Sequence, residues 1–199
     1  VELGVEEMPA RVFEPLLRDL PTLLEKVLAE SGLEPQDVAF FVTPRRITIS
    51  VGRVRTRQAD REVEHKGPPC RVARDAAGAW TKAAEAFAER VGLRPEQCEV
   101  RNLKGVDYLY AVTRQAGRSA VDELAERLPV LFAKIHWYKT MRWGSGTDAF
   151  VRPVQWLVAL LGEAVIPCCV AGVAACRLSR GHRFMADRTV AVPADRAGY

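Results

Sequence analysis

Several kinds of chemistry are missing from this sequence. There is no G-x-x-x-x-G-K-[ST] and no G-x-G-x-x-G after a strand pattern, so the usual backbone cradles for nucleotide phosphates are absent, and Gly144-Ser145-Gly146 is too short to replace them. Neither H-E-x-x-H nor C-x-x-C occurs. The longest mostly apolar run, "AVIPCCVAGVAAC" (164 to 176), is broken by Pro167 and Gly172. It falls short of the roughly 20 residues a bilayer crossing needs, so no membrane span is expected. The opening "VELGVEEMP" is acidic and lacks a basic n-region, so no secretory signal is visible. Five cysteines cannot all pair, and Cys168 and Cys169 are adjacent, which points to reduced thiols in a cytoplasmic protein.

What is present is a 199-residue chain, 48% hydrophobic, able to bury a core without disulfide or metal support. Its net charge of +4 conceals segregation. Residues 1–37 hold nine acids and three bases, residues 44–74 nine bases and three acids, and residues 134–183 seven bases and two acids. Such separation can draw a polyanion to one side of a molecule, although charge runs are usually only solvated faces.

Periodicity predicts an α+β fold of β-hairpins and mixed or antiparallel sheet packed with several short helices. "VELGV" reads as a strand. The apolar positions from Phe13 to Leu28 read as two short helices or one kinked helix, because Pro15 and Pro21 interrupt the pattern, ending near Ser31-Gly32. The runs flanking Thr43-Pro44-Arg45-Arg46 form a hairpin. In its second strand Ile47, Ile49 and Val51 share a parity with Arg53, Arg55 and Arg57, and a bulge at Gly52 would send the arginines to solvent. "REVEHKGPP" reads as extended or looped. Thr81 is expected to cap a helix reaching Val91 and stopping at Gly92, and "EVRNLKGVDYLYAVT" to turn at Lys104-Gly105. The S-x-x-D of Ser119 and Asp122 opens another helix, bent at Pro129. "WLVALLGEAVI" suits two strands joined at Gly162-Glu163. A subdivision into 1–75 and 76–199 is conceivable within a single 1–199 region.

Basic residues recur beside aromatics and glycines in "TPRR", "HKGPP", "YKTMRWGSG", "FVRP" and "SRGHRF". Lys and Arg bind phosphates, and exposed aromatics offer bases a stacking platform. The bland alternatives are that Trp143 and Trp156 anchor a core and that the arginines brace turns or pair with early-chain carboxylates. A thiol nucleophile at Cys168 or Cys169, or a metal site from Cys169, Cys176 and His182, is weaker than burial of small residues. Residue chemistry alone reaches a possible RNA-binding or assembly module.

Read in order, "VELGVEEMPAR", "TPRR", "ADREVEHKGPP", "TKAAEAFA", "KTMRWG", "FVRPVQWLVALLG" and "RGHRF" resemble the N-terminal part of the β subunit of bacterial heterotetrameric glycine-tRNA ligase, whose opening is E-[IL]-G-T-E-E-[LM]-P. Each motif is weak and the ordered set is specific. Val5 stands where that family usually has Thr, and Tyr138 where proline commonly precedes the lysine. The family's subunit is several times longer. The resemblance implies an α2β2 complex in which the α subunit uses ATP and Mg to attach glycine to tRNA(Gly). The β subunit then supplies tRNA docking and assembly, so this region has no catalytic residue, metal or cofactor of its own and is inactive alone. The candidate nucleic-acid contacts are Arg45, Arg46, Lys66, Lys139, Arg142, Trp143, Arg152, Arg180, His182 and Arg183, with Arg53, Arg55 and Arg57 as a second-choice face. The competing reading is a purely structural assembly domain that touches no RNA.

Overall fold

The computed structural model describes residues 1–75, 78–186 and 188–194. In chain order the elements are β1 (Glu2–Val5), a 3-10 turn (Ala10–Val12), α1 (Phe13–Glu30), β2 (Gln36–Thr43), β3 (Arg46–Arg53), β4 (Arg61–Pro69), α2 (Cys70–Ala73), α3 (Lys82–Arg90), β5 (Glu99–Leu103) and β6 (Val106–Gln115). Then follow α4 (Ala120–Ala133), β7 (Val154–Val158), β8 (Leu160–Leu161), β9 (Ala164–Val165), β10 (Cys169–Val170), β11 (Val173–Cys176), β12 (Leu178–Arg180) and β13 (Thr189–Ala191). The class is α+β, as the periodicity predicts. None of the described helices is long and apolar enough to cross a membrane.

The chain forms two compact units, Val1–Gln58 with Arg118–Tyr199, and Ala59–Gly117. The subdivision at 75/76 considered from sequence cuts across the second.

The first unit is built on a six-stranded sheet of order β10-β11-β7-β1-β3-β2, antiparallel except for the parallel β11/β7 pair. Alternation along a strand sends neighbours to opposite faces, and here the two faces differ in kind. Leu3, Val5, Ile47, Ile49 and Leu157 join a core with Leu16, Leu20 and Leu24 of α1 and Leu128, Leu131 and Phe132 of α4. On the other parity Glu2, Thr48, Trp156 and Val158 are buried, with Val192 packed on Trp156 and Val158 just beyond the β12/β13 ladder. A cleft of about 670 Å3 opens at the Val1 end of β1, lined largely by apolar side chains such as Leu24, Leu28, Leu128, Ile49 and Leu161.

α1 is one helix of 18 residues. Pro15 lies in the first turn, where backbone donors have no intrahelical partner to lose. Pro21 deprives the Leu17 carbonyl of its donor, but Leu17 is 48% exposed and water can take the place. Leu28 and Ala29 carbonyls are taken by Ser31 Oγ (2.6 Å) and Gly32 N (3.2 Å), with Gly32 at φ 66°, which ends the helix where expected.

The expected bulge at Gly52 is absent. Pairing of β2 with β3 keeps one register from Thr43↔Arg46 to Gln36↔Arg53. The parity conflict is resolved because the strand stops: beyond Arg53 the chain leaves the sheet, Arg55 N bonds Leu33 O at 2.8 Å, and its guanidinium meets Glu34 at 2.8 Å. All three arginines are exposed all the same.

In the second unit the sheet order is β4-β6-β5, so "REVEHKGPP" is a strand, with an irregularity between Lys66 and Pro69. A Cβ on Gly67 would lie 2.7 Å from the Phe87 ring, which is how α3 packs so closely on β4. Phe87, Ala73, Ala84, Leu109 and Ala111 make this unit's own core. Thr81 occupies the N-cap position of α3, yet its hydroxyl donates to Val72 O and caps nothing. The β5/β6 turn has Lys104 and Gly105 both at positive φ, 52° and 81°, as a type I′ turn requires. In the first unit Ser119 Oγ accepts from Asp122 N at 3.1 Å, so α4 begins with the predicted cap.

Candidate nucleic-acid interface

Of the ten candidate contacts, only Lys66 belongs to the second unit, where its ammonium stands 3.8 Å from the centre of the Tyr108 ring. The other nine lie in the first unit, and the strand directions bring Arg45, Arg46, Arg152, Arg180 and Arg183 to one end of the sheet. β1 ends at Val5, β3 begins beside it at Arg46, β7 begins opposite it at Val154, and β12 finishes at Arg180. Turns and strand ends contributed by four distant stretches of sequence therefore meet at one end of the sheet.

A buried carboxylate organises that end. Glu2 is 1% exposed, and its Oε1 accepts from Trp156 Nε1 and from Ser179 Oγ, each at 2.5 Å. Arg46 Nη1 lies 3.4 Å from Glu2 Oε2, while Nη2 donates to Arg180 O at 2.7 Å. The guanidinium carbons of Arg46 and Arg180 stand 5.6 and 5.7 Å from the Trp156 ring. Buried charge is tolerated only when paired and hydrogen-bonded, and here the pairing also ties the end of β12 to β1 and β3. Gly4 completes the arrangement: a Cβ there would fall 2.0 Å from Trp156 ring atoms. The ring occupies the space that Gly4 leaves.

The remaining candidates divide between engaged and open. Arg45 is half-buried in the β2/β3 turn, its carbonyl accepts from Val5 N at 2.8 Å, and its Nε is buried with no hydrogen-bond partner among the described residues. Arg152 donates to Glu7 O at 3.0 Å and to Val151 O at 2.9 Å. Arg183 sits 3.7 Å from Glu6. Arg142 donates to Thr147 O at 3.1 Å, not to an early-chain carboxylate. Lys139 and Arg180 are exposed. Trp143 is half-buried and packs against the main core, so it is no free stacking platform. His182 is exposed, but its Nδ1 already accepts from Phe184 N (3.3 Å) and Met185 N (3.2 Å). Reasoning from sequence missed two groups here: Phe184 and Met185, which are 86% and 85% exposed, and Arg11, whose guanidinium stacks 4.5 Å from the Tyr138 ring. The first pair was contained in the "RGHRF" motif and its continuation; only the basic members drew notice.

The surroundings of Cys168 work against a thiolate at that residue. Burial pushes the Cys168 thiol above its ordinary value of 9.0, with the adjacent Cys169 adding to the rise, whereas a nucleophile needs the opposite. No cluster of three or more His, Cys, Asp or Glu placed to hold a metal ion exists among the described residues.

Fold and surface thus define an α+β protein in which Arg45, Arg46, Arg152, Arg180 and Arg183 meet at one sheet end. The sequence profile of the family described as "Glycyl-tRNA synthetase beta subunit" matches residues 1–199, and the chain belongs to that family. It is 42% identical over 197 residues to the glycine-tRNA ligase beta subunit of Desulforamulus reducens, covering 98% of this chain and 28% of the relative. The beta subunits of Lactiplantibacillus plantarum (37% over 196 residues) and Lactobacillus acidophilus (40% over 194) give the same coverages, 98% and 28%. The chain therefore spans about 28% of the length of these relatives, matching their N-terminal part.

Proposed function

We propose that this chain is the tRNA-docking and assembly portion of a glycine-tRNA ligase beta subunit, working in the cytoplasm within an α2β2 complex. In this reading it supports ATP-dependent attachment of glycine to tRNA(Gly) without an active site of its own, and ATP and Mg act at the α subunit. The observation that carries it is the gathering of Arg45, Arg46, Arg152, Arg180 and Arg183 around the Glu6-Glu7 end of the sheet. Guanidinium groups fixed by backbone carbonyls keep further N–H donors for phosphate oxygens, and an array of them positions a ribose-phosphate chain without reading its sequence.

Titration of the protein with tRNA at several salt concentrations tests this. Phosphate contacts give log affinity a linear fall with log salt, of slope roughly −0.7 to −0.9 for each phosphate neutralised. Replacing Arg152 and Arg180 with Ala should weaken binding and flatten that slope. Salt-independent affinity, or none at low salt, would refute docking.

A second reading has its own support. Arg46 and Arg183 already face carboxylates, and Arg142 and Arg152 face carbonyls, as expected if these side chains brace the fold for a protein partner. Copurification with the α subunit without RNA affinity would select it.

A further inference from the structure

The loop joining β12 to β13 is built to hold two apolar side chains in water. Its base is fixed by the ladder pair Arg180↔Thr189 and by Gly181 N bonding Arg188 O at 2.9 Å. Inside it, Ala186 N bonds His182 O at 2.9 Å, Arg188 N bonds Ala186 O at 2.7 Å, and the His182 ring accepts from Phe184 N and Met185 N. Gly181 is required for this closure, since a Cβ there would lie 2.0 Å from Ala186 O. A loop so braced presents Phe184 and Met185 at 86% and 85% exposure. Burying either side chain in the protein would be favourable, so their common exposure on a braced loop points to an external surface for them.

The surroundings narrow that surface. The Arg183 guanidinium carbon stands 5.8 Å from the Phe184 ring centre, Arg180 is the last residue of the strand beneath, and Arg46 is hydrogen-bonded to Arg180 O. Among the described residues Glu6 is the carboxylate paired with Arg183, at 3.7 Å. A flat apolar ring bordered by guanidinium groups matches an unpaired nucleotide, which offers a π face beside a phosphate. Double-helical RNA hides its base faces within the stack and is met through its backbone and minor groove, where an apolar tip finds nothing to cover it.

Resting on the tRNA-docking reading, we infer that Phe184, with Met185 beside it, is a stacking site for unpaired nucleotides of the bound RNA, and that Arg180 and Arg183 hold the flanking phosphates. Phe184 is the specificity-determining element for single-stranded over paired RNA at this end of the sheet.

The test compares wild-type protein with Phe184→Ala and Phe184→Trp on two labelled RNAs, a short single strand and a blunt hairpin of similar charge, over a range of KCl. Phe184→Ala should weaken the single strand by about tenfold, the size of one lost base–aromatic stack, and leave the hairpin within about twofold. Phe184→Trp should restore the single-strand affinity, and 2-aminopurine in the strand should be quenched by wild type and not by Phe184→Ala. At such exposure all three proteins should melt together. Equal losses on both RNAs, or no loss on either, would overturn the stacking site while leaving docking intact. RNA affinity unchanged in Phe184→Ala, with loss of copurification with the α subunit, would also overturn it and make the tip a protein anchor. Failure of wild type to bind either RNA would remove the docking reading itself.

Discussion

The indole nitrogen of Trp156 donates a 2.5 Å hydrogen bond to the buried carboxylate of Glu2, 154 positions away in sequence, and the same indole ring lies against Gly4. One strand thus supplies both a charge to hold the tryptophan and an empty position to receive it. The "E-x-G" of the opening motif is a matched pair of requirements set by a residue near the far end of the chain. Ser179 and Arg46 share the carboxylate, so the cationic end of the sheet is assembled around Glu2.

Gly4→Ala should destabilise the first unit. Its Cβ would stand 2.0 Å from ring atoms that are themselves buried, and overpacking of this kind typically costs about 1–3 kcal/mol. Thermal melting checks it, and combination with Trp156→Leu should relieve part of the loss. A variant that melts with wild type would contradict the close approach of the two residues.

Glu2→Gln should cost about 1–3 kcal/mol, because Arg46 loses its buried counter-charge and an amide cannot accept from Trp156 and Ser179 with the strength of a carboxylate. Denaturant unfolding of Glu2→Gln, Trp156→Phe and the double variant should give a coupling energy above about 0.5 kcal/mol, as residues sharing a network do. Strict additivity would show that the bond contributes nothing.

The α4 carboxylate of Glu126 should titrate below its ordinary value of 4.5, chiefly because Arg118 hydrogen-bonds it and secondarily through that residue's charge. A depressed folded-state pKa contributes stability that is present above the ordinary carboxylate value and lost as pH falls through the folded one. The pair is solvent-exposed, so the effect on melting is small. An NMR titration in which Glu126 is unmoved by Arg118→Ala would contradict the assignment.

Alkylation should separate the adjacent thiols. Cys169 is exposed, while Cys168 is buried and its thiol is pushed up by that burial. Iodoacetamide near pH 8 should modify Cys169 first, with Cys168 reacting only on unfolding, as peptide mass spectrometry can report. Faster labelling of Cys168 would mean that the segment between β9 and β10 opens.

The local elements were readable because the signals for them are local. Ser119 with Asp122, Lys104-Gly105, and the apolar stripe ending at Ser31-Gly32 each lie within a few residues of what they specify, and each element stands where its signal placed it. The errors came where a strand's fate depended on something remote. Arg53, Arg55 and Arg57 escape the core because the chain turns toward Leu33 and Glu34, and no periodicity within 47–57 records that. Thr81 looked like a cap, but a carbonyl of α2 took its hydroxyl.

The amino-acid order by itself determined the α+β class, the hairpins, the helix ends and the family, since backbone propensity, side-chain alternation and ordered motifs are properties of the chain read along its length. It also showed in which stretches the cations are concentrated. Only the tertiary structure decided which of those cations meet, which are neutralised, and that Phe184 and Met185 stand in solvent while Trp143 packs on the core. Sheet order brings residues 2, 46, 156 and 179 within hydrogen-bonding reach, and that order follows from burying two different faces of one sheet at once, a condition satisfied by the folded chain as a whole.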